Sequence, residues 1–237
     1  MKLKTAVVLV GGKALRLRPL TEDVPKCMIE LSGRPLLSWI LAWLKNNGIE
    51  RVVLGVAYKK EVIEQYVQQN DFGMRIELND HSGADGTGEA FRLAVERKDV
   101  RDEVFLAMNG DELTDVSLRN FLTFHLRHQG VATLLACPLK SPFGVLTTDN
   151  SHGITSFQEK PILDTYFINA GVYLFTQAIR PYLPQAGDIE RTAFAQLARE
   201  GKLKAFKYFG FWSTVNNIKD IVEMEANVDI LRETREE

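Results

Sequence analysis

The sequence is poor in the residues that staple, chelate or anchor a chain. Its two cysteines, Cys27 and Cys137, lie far apart without Cys-x-x-Cys spacing, which argues against a disulfide framework or a zinc site. Its four histidines, His81, His125, His128 and His152, show no metal-ligand spacing and read as structural or solvated. No apolar run approaches the ~20 residues that cross a bilayer, and the amino terminus shows no signal-peptide pattern, so a cytoplasmic protein with no membrane partner is expected. The formal net charge is only -2. Basic residues are spread through helical stretches with no aromatic-interleaved patch, which argues against nucleic acid as a partner. There is no internal repeat, no low-complexity linker, and no Ser-His-Asp or Cys-His arrangement that the sequence assigns.

What the chain does have is an apolar β-branched run, Val7-Val8-Leu9-Val10, that stops at Gly11-Gly12 and is followed by Lys13, Arg16, Arg18 and Lys26. This pattern fits a buried strand ending in an anion-binding loop, where glycines admit close approach of backbone N–H groups and Arg and Lys meet phosphate. On residues alone it fits a strand and a solvated basic turn equally well. Neither better-known phosphate loop is present. Gly12-Lys13 is followed by Ala14 where a P-loop needs Ser or Thr, and Leu15 to Leu20 lacks the third glycine of a dinucleotide fingerprint.

Beyond Pro35, strand and helix patterns alternate. Leu36, Leu37, Ile40, Leu41 and Leu44 share a helical face that ends at Asn46-Asn47-Gly48, and Arg51 to Val56 reads as a strand. A helix over 59–69, a strand over 74–78, a helix over 86–97 and a strand over 103–108 follow. The second half predicts a helix over 116–129 and strands over 131–137, 143–148, 153–159, 167–175 and 203–208. Asp188 is expected to cap a helix, and Asn216 or Asn217 to open a closing helix through Leu231, ahead of a charged tail over 233–237. Such alternation predicts an α/β fold, a mostly parallel sheet with helices on both faces and ligands at the carboxyl ends of the strands. Gly11 and Asn109-Gly110-Asp111 both fall there.

The first loop resembles the signature of the sugar-nucleotide pyrophosphorylases, approximately Gly-Gly-x-Gly-Thr-Arg-Leu-x-Pro-Leu-Thr with a later Pro-Lys. Gly11, Gly12, Arg16, Leu17, Pro19, Leu20, Thr21, Pro25 and Lys26 match it, while Ala14 and Leu15 do not. Further motifs extend the resemblance in order along the chain: Asp85-Gly86-Thr87-Gly88-Glu89-Ala90, Gly110-Asp111, Phe143-Gly144-Val145, Phe157-Gln158-Glu159-Lys160-Pro161 and Asn169-Ala170-Gly171-Val172-Tyr173. It implies a Rossmann-like mixed sheet of the nucleotide-diphospho-sugar transferase type in a single domain, 1–237. Residues 1–111 would form the nucleotide half and 112–237 a sugar-binding lobe and closing helix, with no C-terminal β-helix domain.

The implied activity joins a sugar 1-phosphate to a nucleoside triphosphate and releases pyrophosphate. Leu9, Gly11, Gly12, Arg16, Lys26, Gly86 and Glu89 would meet the nucleotide, Arg16 on the leaving pyrophosphate and Lys26 near the α-phosphate. Asp111 would bind the catalytic magnesium. Gly144, Glu159, Lys160 and Asn169 would line the sugar side, with Lys160 on the sugar phosphate. An ionised Glu89 only accepts hydrogen bonds, which suits the N1–H and 2-amino group of guanine, and it reads equally as a solvated first-turn acid. The family pattern Trp-x-Asp-Ile/Val-Gly-Thr, whose Asp is the second magnesium ligand, meets Trp212-Ser213-Thr214-Val215-Asn216-Asn217 here. Thr214 stands at that Asp position. With Ala14 and Leu15, it leaves room for a nucleotide-sugar-binding or regulatory homologue with weakened catalysis, either a homo-oligomer or the partner of an active one. A cytidylyltransferase acting on a phosphorylated amino alcohol shares a related first motif.

Overall fold

A computed structural model describes residues 1–226. Strand β1 (Thr5–Leu9) leads through a loop to the two-residue strands β2 (Glu30–Leu31) and β3 (Arg34–Pro35) and helix α1 (Leu36–Asn46). There follow β4 (Arg51–Val56), α2 (Lys60–Gln69), β5 (Arg75–Asp80), α3 (Gly86–Arg97), β6 (Val104–Asn109), β7 (Glu112–Thr114), α4 (Leu118–His128) and β8 (Ala132–Lys140). The chain continues with β9 (Val145–Thr148), β10 (Ile154–Gln158), β11 (Ile162–Thr176), α5 (Ala195–Arg199), β12 (Leu203–Lys207), β13 (Trp212–Thr214) and α6 (Ile218–Glu225). Seven strands form one mixed sheet in the order β12-β8-β11-β6-β1-β4-β5. Its β6-β1-β4-β5 run is parallel, and β11 lies antiparallel between β6 and β8.

Alternation along the central strands explains why helices cover both faces. Ala6 and Val8 of β1 and Leu106 and Met108 of β6 pack with Trp39, Ile40, Leu44 and Phe121 of α1 and α4. Val7, Phe105 and Ala107 point the other way, onto Phe91 and Val95 of α3 and Tyr173, Phe175, Phe194 and Leu197. Each fully buried Leu or Phe contributes about 1.5–3 kcal/mol. The sheet crosses from the first half of the chain into the second without a break, since β6 hydrogen-bonds both β1 and β11.

Several expected elements change at their ends. The strand expected over 167–175 is part of the 15-residue β11, and its register against β8 shifts between Asn169 and Tyr173, where Gly171 has φ +68°. Asp188 does not cap its own helix, a π-helical turn (Glu190–Phe194) running into α5. Its Oδ1 lies 3.4 Å from the Thr87 N–H instead. Asn217 opens α6 with a reciprocal capping box to Asp220. The expected continuation of that helix to Leu231, and the charged tail, lie outside the described residues. The pairs β2/β3 and β7/β13 were not foreseen, because two- and three-residue strands carry too little period to see. No helix among the described residues is long and apolar enough to cross a membrane.

Candidate functional site

A cavity of about 590 Å³ opens over the carboxyl ends of β1, β4, β5 and β6. The loops that wall it are packed backbone to backbone. A Cβ on Gly11 would come within 2.7 Å of the His81 Nε2 and 2.8 Å of the Ala57 N, and a Cβ on Gly110 within 2.4 Å of the Val10 Cγ1 and 2.7 Å of the Leu9 O. Glycine is therefore required at both, and Asn109-Gly110-Asp111 is more than a surface turn. Gly110 N–H donates to the Leu9 carbonyl at 2.8 Å, which fixes Asp111 beside the end of β1. Gly86, at φ +80°, opens α3 with a virtual Cβ 2.4 Å from the Gly187 carbonyl carbon.

Charge converges on this cavity. Lys13 and Lys26 line it, as do Asp111 and Asp188. The Lys26 Nζ donates to Asp111 and lies 3.5 Å from the Asn216 Oδ1, so one ammonium draws together oxygens from two distant parts of the chain. Beneath them Glu112 is 8% exposed with Oε2 unpartnered. Burial and the neighbouring Asp111 charge push its carboxyl well above the usual range. Among the described residues no three His, Cys, Asp or Glu side chains gather as a metal cluster.

Of the nucleotide-side residues read from the sequence, Leu9, Gly11, Gly12, Lys26 and Gly86 line the cavity together with Asp111. Arg16 and Glu89 do not. Arg16 is exposed on a short 3-10 turn (Leu15–Leu17). The Glu89 carboxylate accepts from Asp85 N–H at 2.8 Å and from Arg92 at 3.2 Å, so both oxygens are engaged at the start of α3. The sugar-side residues form a separate group. Gly144 abuts Phe157 and Glu159, a Cβ there lying 2.7 Å from the Phe157 Cζ and 3.0 Å from the Glu159 Oε2. Glu159 and Lys160 are 3.7 Å apart and both mostly exposed. The Asn169 amide donates to the Tyr173 hydroxyl at 3.0 Å and accepts from Gly171 N–H at 3.0 Å.

Thr214 pairs across β13 and β7 with Glu112, and Asn216, two residues on, is the side chain that reaches Lys26. Two cavity residues, His81 and Asp188, and Asn216, which meets Lys26, were not singled out as site residues in the sequence. His81 is no bystander. It lines the cavity with Nδ1 buried and unpartnered, and burial holds its imidazole below the ordinary value. The Val10-Gly11-Gly12 loop lying against it is the only sequence-level hint, and it becomes visible only once β1 and β5 are brought together.

The family model described as nucleotidyl transferase matches residues 5–230. The chain belongs to the nucleotidyl transferase family. It is 33% identical over 224 residues to the mannose-1-phosphate guanylyltransferase catalytic subunit beta of Danio rerio, covering 92% of this chain and 62% of the relative. It is 34% identical over 233 residues to a mannose-1-phosphate guanylyltransferase of Mycobacterium tuberculosis, covering 94% of this chain and 64% of the relative. The chain thus spans somewhat under two thirds of these relatives. HddC from Yersinia pseudotuberculosis, complexed with GMP-PN, shares the fold at TM-score 0.73 and 23% identity, over 95% of this chain and 99% of that one. The relatives are sugar-phosphate nucleotidyltransferases by name, and the family is the one that the sequence resembles.

Proposed function

We propose that this nucleotidyl transferase joins a sugar 1-phosphate to a nucleoside triphosphate and releases pyrophosphate. The observation that carries the reading is the convergence of Lys13, Lys26 and Asp111 on one glycine-walled cavity, with the Asn216 amide oxygen 3.5 Å from Lys26. A sugar phosphate oxygen attacks the α-phosphorus in line, and the bond to the pyrophosphate oxygen breaks. Phosphoryl transfer of this kind asks the protein mainly for positioning and charge stabilisation. Lys26, released from Asp111, holds the α-phosphate, Lys13 and Arg16 the departing pyrophosphate, and Lys160 the incoming sugar phosphate. Asp111 and Asn216 suit magnesium, which takes one or two carboxylates with phosphate oxygens and water. That ion would neutralise phosphate charge. Asn216 supplies a neutral oxygen beside Lys26, two residues from the position where Thr214 replaces a carboxylate.

Guanine is the first base to test, on the strength of the guanylyltransferase relatives. Glu89 lends it no support while its oxygens are engaged by Asp85 and Arg92. The assay is pyrophosphate release with magnesium across the common nucleoside triphosphates and a panel of sugar 1-phosphates. Wild type should turn over with one pair, and Lys26→Ala should lower kcat about 10²–10³-fold, the scale of a lost preorganised charge contact. Silence across the panel, or undiminished turnover in Lys26→Ala, would overturn the assignment.

A further inference from the structure

Lys26 and a divalent cation have a claim on the same two oxygens. The Lys26 ammonium is bonded to Asp111 and lies 3.5 Å from the Asn216 Oδ1, which sets a positive charge against the two side chains that suit magnesium. Neither oxygen depends on the lysine for its place. Gly110 N–H donates to the Leu9 carbonyl at 2.8 Å, and Val215 N–H to the Asp111 carbonyl at 3.2 Å, so the segments that carry Asp111 and Asn216 are tied to each other through main chain. Asn216 is held a second time, by its own N–H on the Asp220 carboxylate at 2.7 Å. Lys26 is pinned only at its root. Its turn closes with Met28 N–H on the Pro25 carbonyl at 2.8 Å and Ile29 N–H on the Lys26 carbonyl at 3.1 Å. From there a flexible four-carbon stem carries the ammonium, which can pass to another anion while the backbone stays put.

The charges around the pair favour such an exchange. Among the described residues the cavity lining sets Lys13 and Lys26 against Asp111 and Asp188, so the positive and negative groups balance. A divalent ion arriving by itself meets no net negative charge, and it must take Asp111 from an ammonium whose side chain is only 14% exposed. One carboxylate and one amide oxygen are also a thin ligand set for magnesium, which sheds water reluctantly and is bound through carboxylates together with substrate phosphates. A triphosphate changes both sides of the competition. Its oxygens offer the ammonium charge-assisted bonds to a more highly charged partner than one carboxylate, and they supply the ligands that Asp111 and Asn216 lack.

We propose that Lys26 is a tethered competitor of the divalent ion: bonded to Asp111 it keeps the ion out, and it yields the oxygens only when nucleotide phosphate takes its ammonium. The inference rests on the nucleotidyltransferase reading above and adds an order to it, the ion entering with the nucleotide and not ahead of it. Its test is titration of Mn2+ alone, an ion of the same oxygen-seeking class, followed by loss of the free-ion paramagnetic resonance signal. Wild type is compared with Lys26→Met, Lys26→Arg, Asp111→Asn and the double variant of Lys26→Met with Asp111→Asn. Lys26→Met keeps the stem and removes the charge, so it should bind Mn2+ at least about tenfold more tightly than wild type, well within what a unit charge at contact distance is worth near a protein surface. The double variant should lose that gain, and Lys26→Arg, which keeps a cation on Asp111, should bind as weakly as wild type. A merely structural Lys26 predicts the opposite sign, with weaker ion binding in Lys26→Met. Equal affinity in wild type and Lys26→Met would overturn the proposal, as would a gain that survives in the double variant. So would tight one-to-one binding of Mn2+ by wild type that Asp111→Asn abolishes, a check that needs no change at Lys26. These outcomes leave the enzyme reading standing, since none depends on turnover. Silence in the pyrophosphate assay would remove that reading, and this inference with it.

Discussion

The loops around the cavity and the hairpin of β9 and β10 are built in opposite ways. At Gly11, Gly86 and Gly110 backbone meets backbone with no space for a methyl group, and Lys26 is already held on Asp111. Around the hairpin, Phe143 is 74% exposed, Phe157 63% and Ile162 67%, and Gly144 is bounded only by the far ends of the Phe157 and Glu159 side chains. The first region is shaped before any ligand arrives. The second leaves apolar surface for a ligand or a change of side-chain position to cover. Under the function proposed above, this contrast means that nucleotide capture is preorganised in the free chain, whereas the sugar side is completed during binding.

The contrast is broken hardest by moving one methyl group between the two regions. Gly110→Ala places a Cβ against the Leu9 carbonyl and should cost about 2–3 kcal/mol in chemical denaturation and abolish nucleotide binding. Gly144→Ala meets flexible side-chain ends, so its stability should stay within about 0.5 kcal/mol of wild type. Equal losses in the two would erase the distinction.

An internal reference is His125, away from both regions. Its ring is buried, bonds Thr133 at 2.7 Å, and burial holds its pKa down to about 4. The unfolded chain then takes up a proton that the native one refuses, so stability falls as pH drops from about 6.5 towards about 4, by at most about 3 kcal/mol. Urea titrations should show this slope vanish in His125→Gln while nucleotide affinity at pH 7.5 stays put.

Next in size is Glu159→Gln. It should raise the KM for the sugar 1-phosphate about tenfold and leave that for the nucleotide alone, the loss of charge-assisted bonds to sugar hydroxyls. A matching rise in both KM values would mean that the two regions act as one. The smallest effect is Ala14→Gly. Ala14 holds φ +44° where the family motif has glycine, with its carbonyl accepting from the Thr21 hydroxyl at 3.0 Å. Glycine relieves a left-handed alanine at the cost of unfolded-chain freedom, so a net gain of up to about 1 kcal/mol is expected in thermal melts.

The strand ends that wall the cavity were legible in the sequence because their requirements are local. A β-branched run ending at Gly11-Gly12, and an apolar run ending at Gly110-Asp111, each announce a strand and its loop within a few residues. His81, Asp188 and Asn216 were not legible, because each acquires its place only through a distant partner: Gly11, Thr87 and Lys26 respectively. Thr214 shows the limit of position-by-position reading. It occupies the expected slot on β13, yet the oxygen that reaches Lys26 comes from Asn216, two residues further on, where the chain leaves the strand for the capping box of α6. Glu89 illustrates the reverse. Its place in the glycine motif was visible, but not that Asp85 N–H and Arg92 would use its oxygens.

The central claim is that the free chain is ready for nucleotide and unready for sugar. It is tested most directly by titrating the pair that the pyrophosphate assay selects, each ligand separately, into the protein with magnesium. The account predicts that the nucleoside triphosphate binds the free chain by itself. The sugar 1-phosphate alone should bind at least tenfold more weakly than it does once nucleotide is in place. Sugar 1-phosphate binding equally well with and without nucleotide would contradict it.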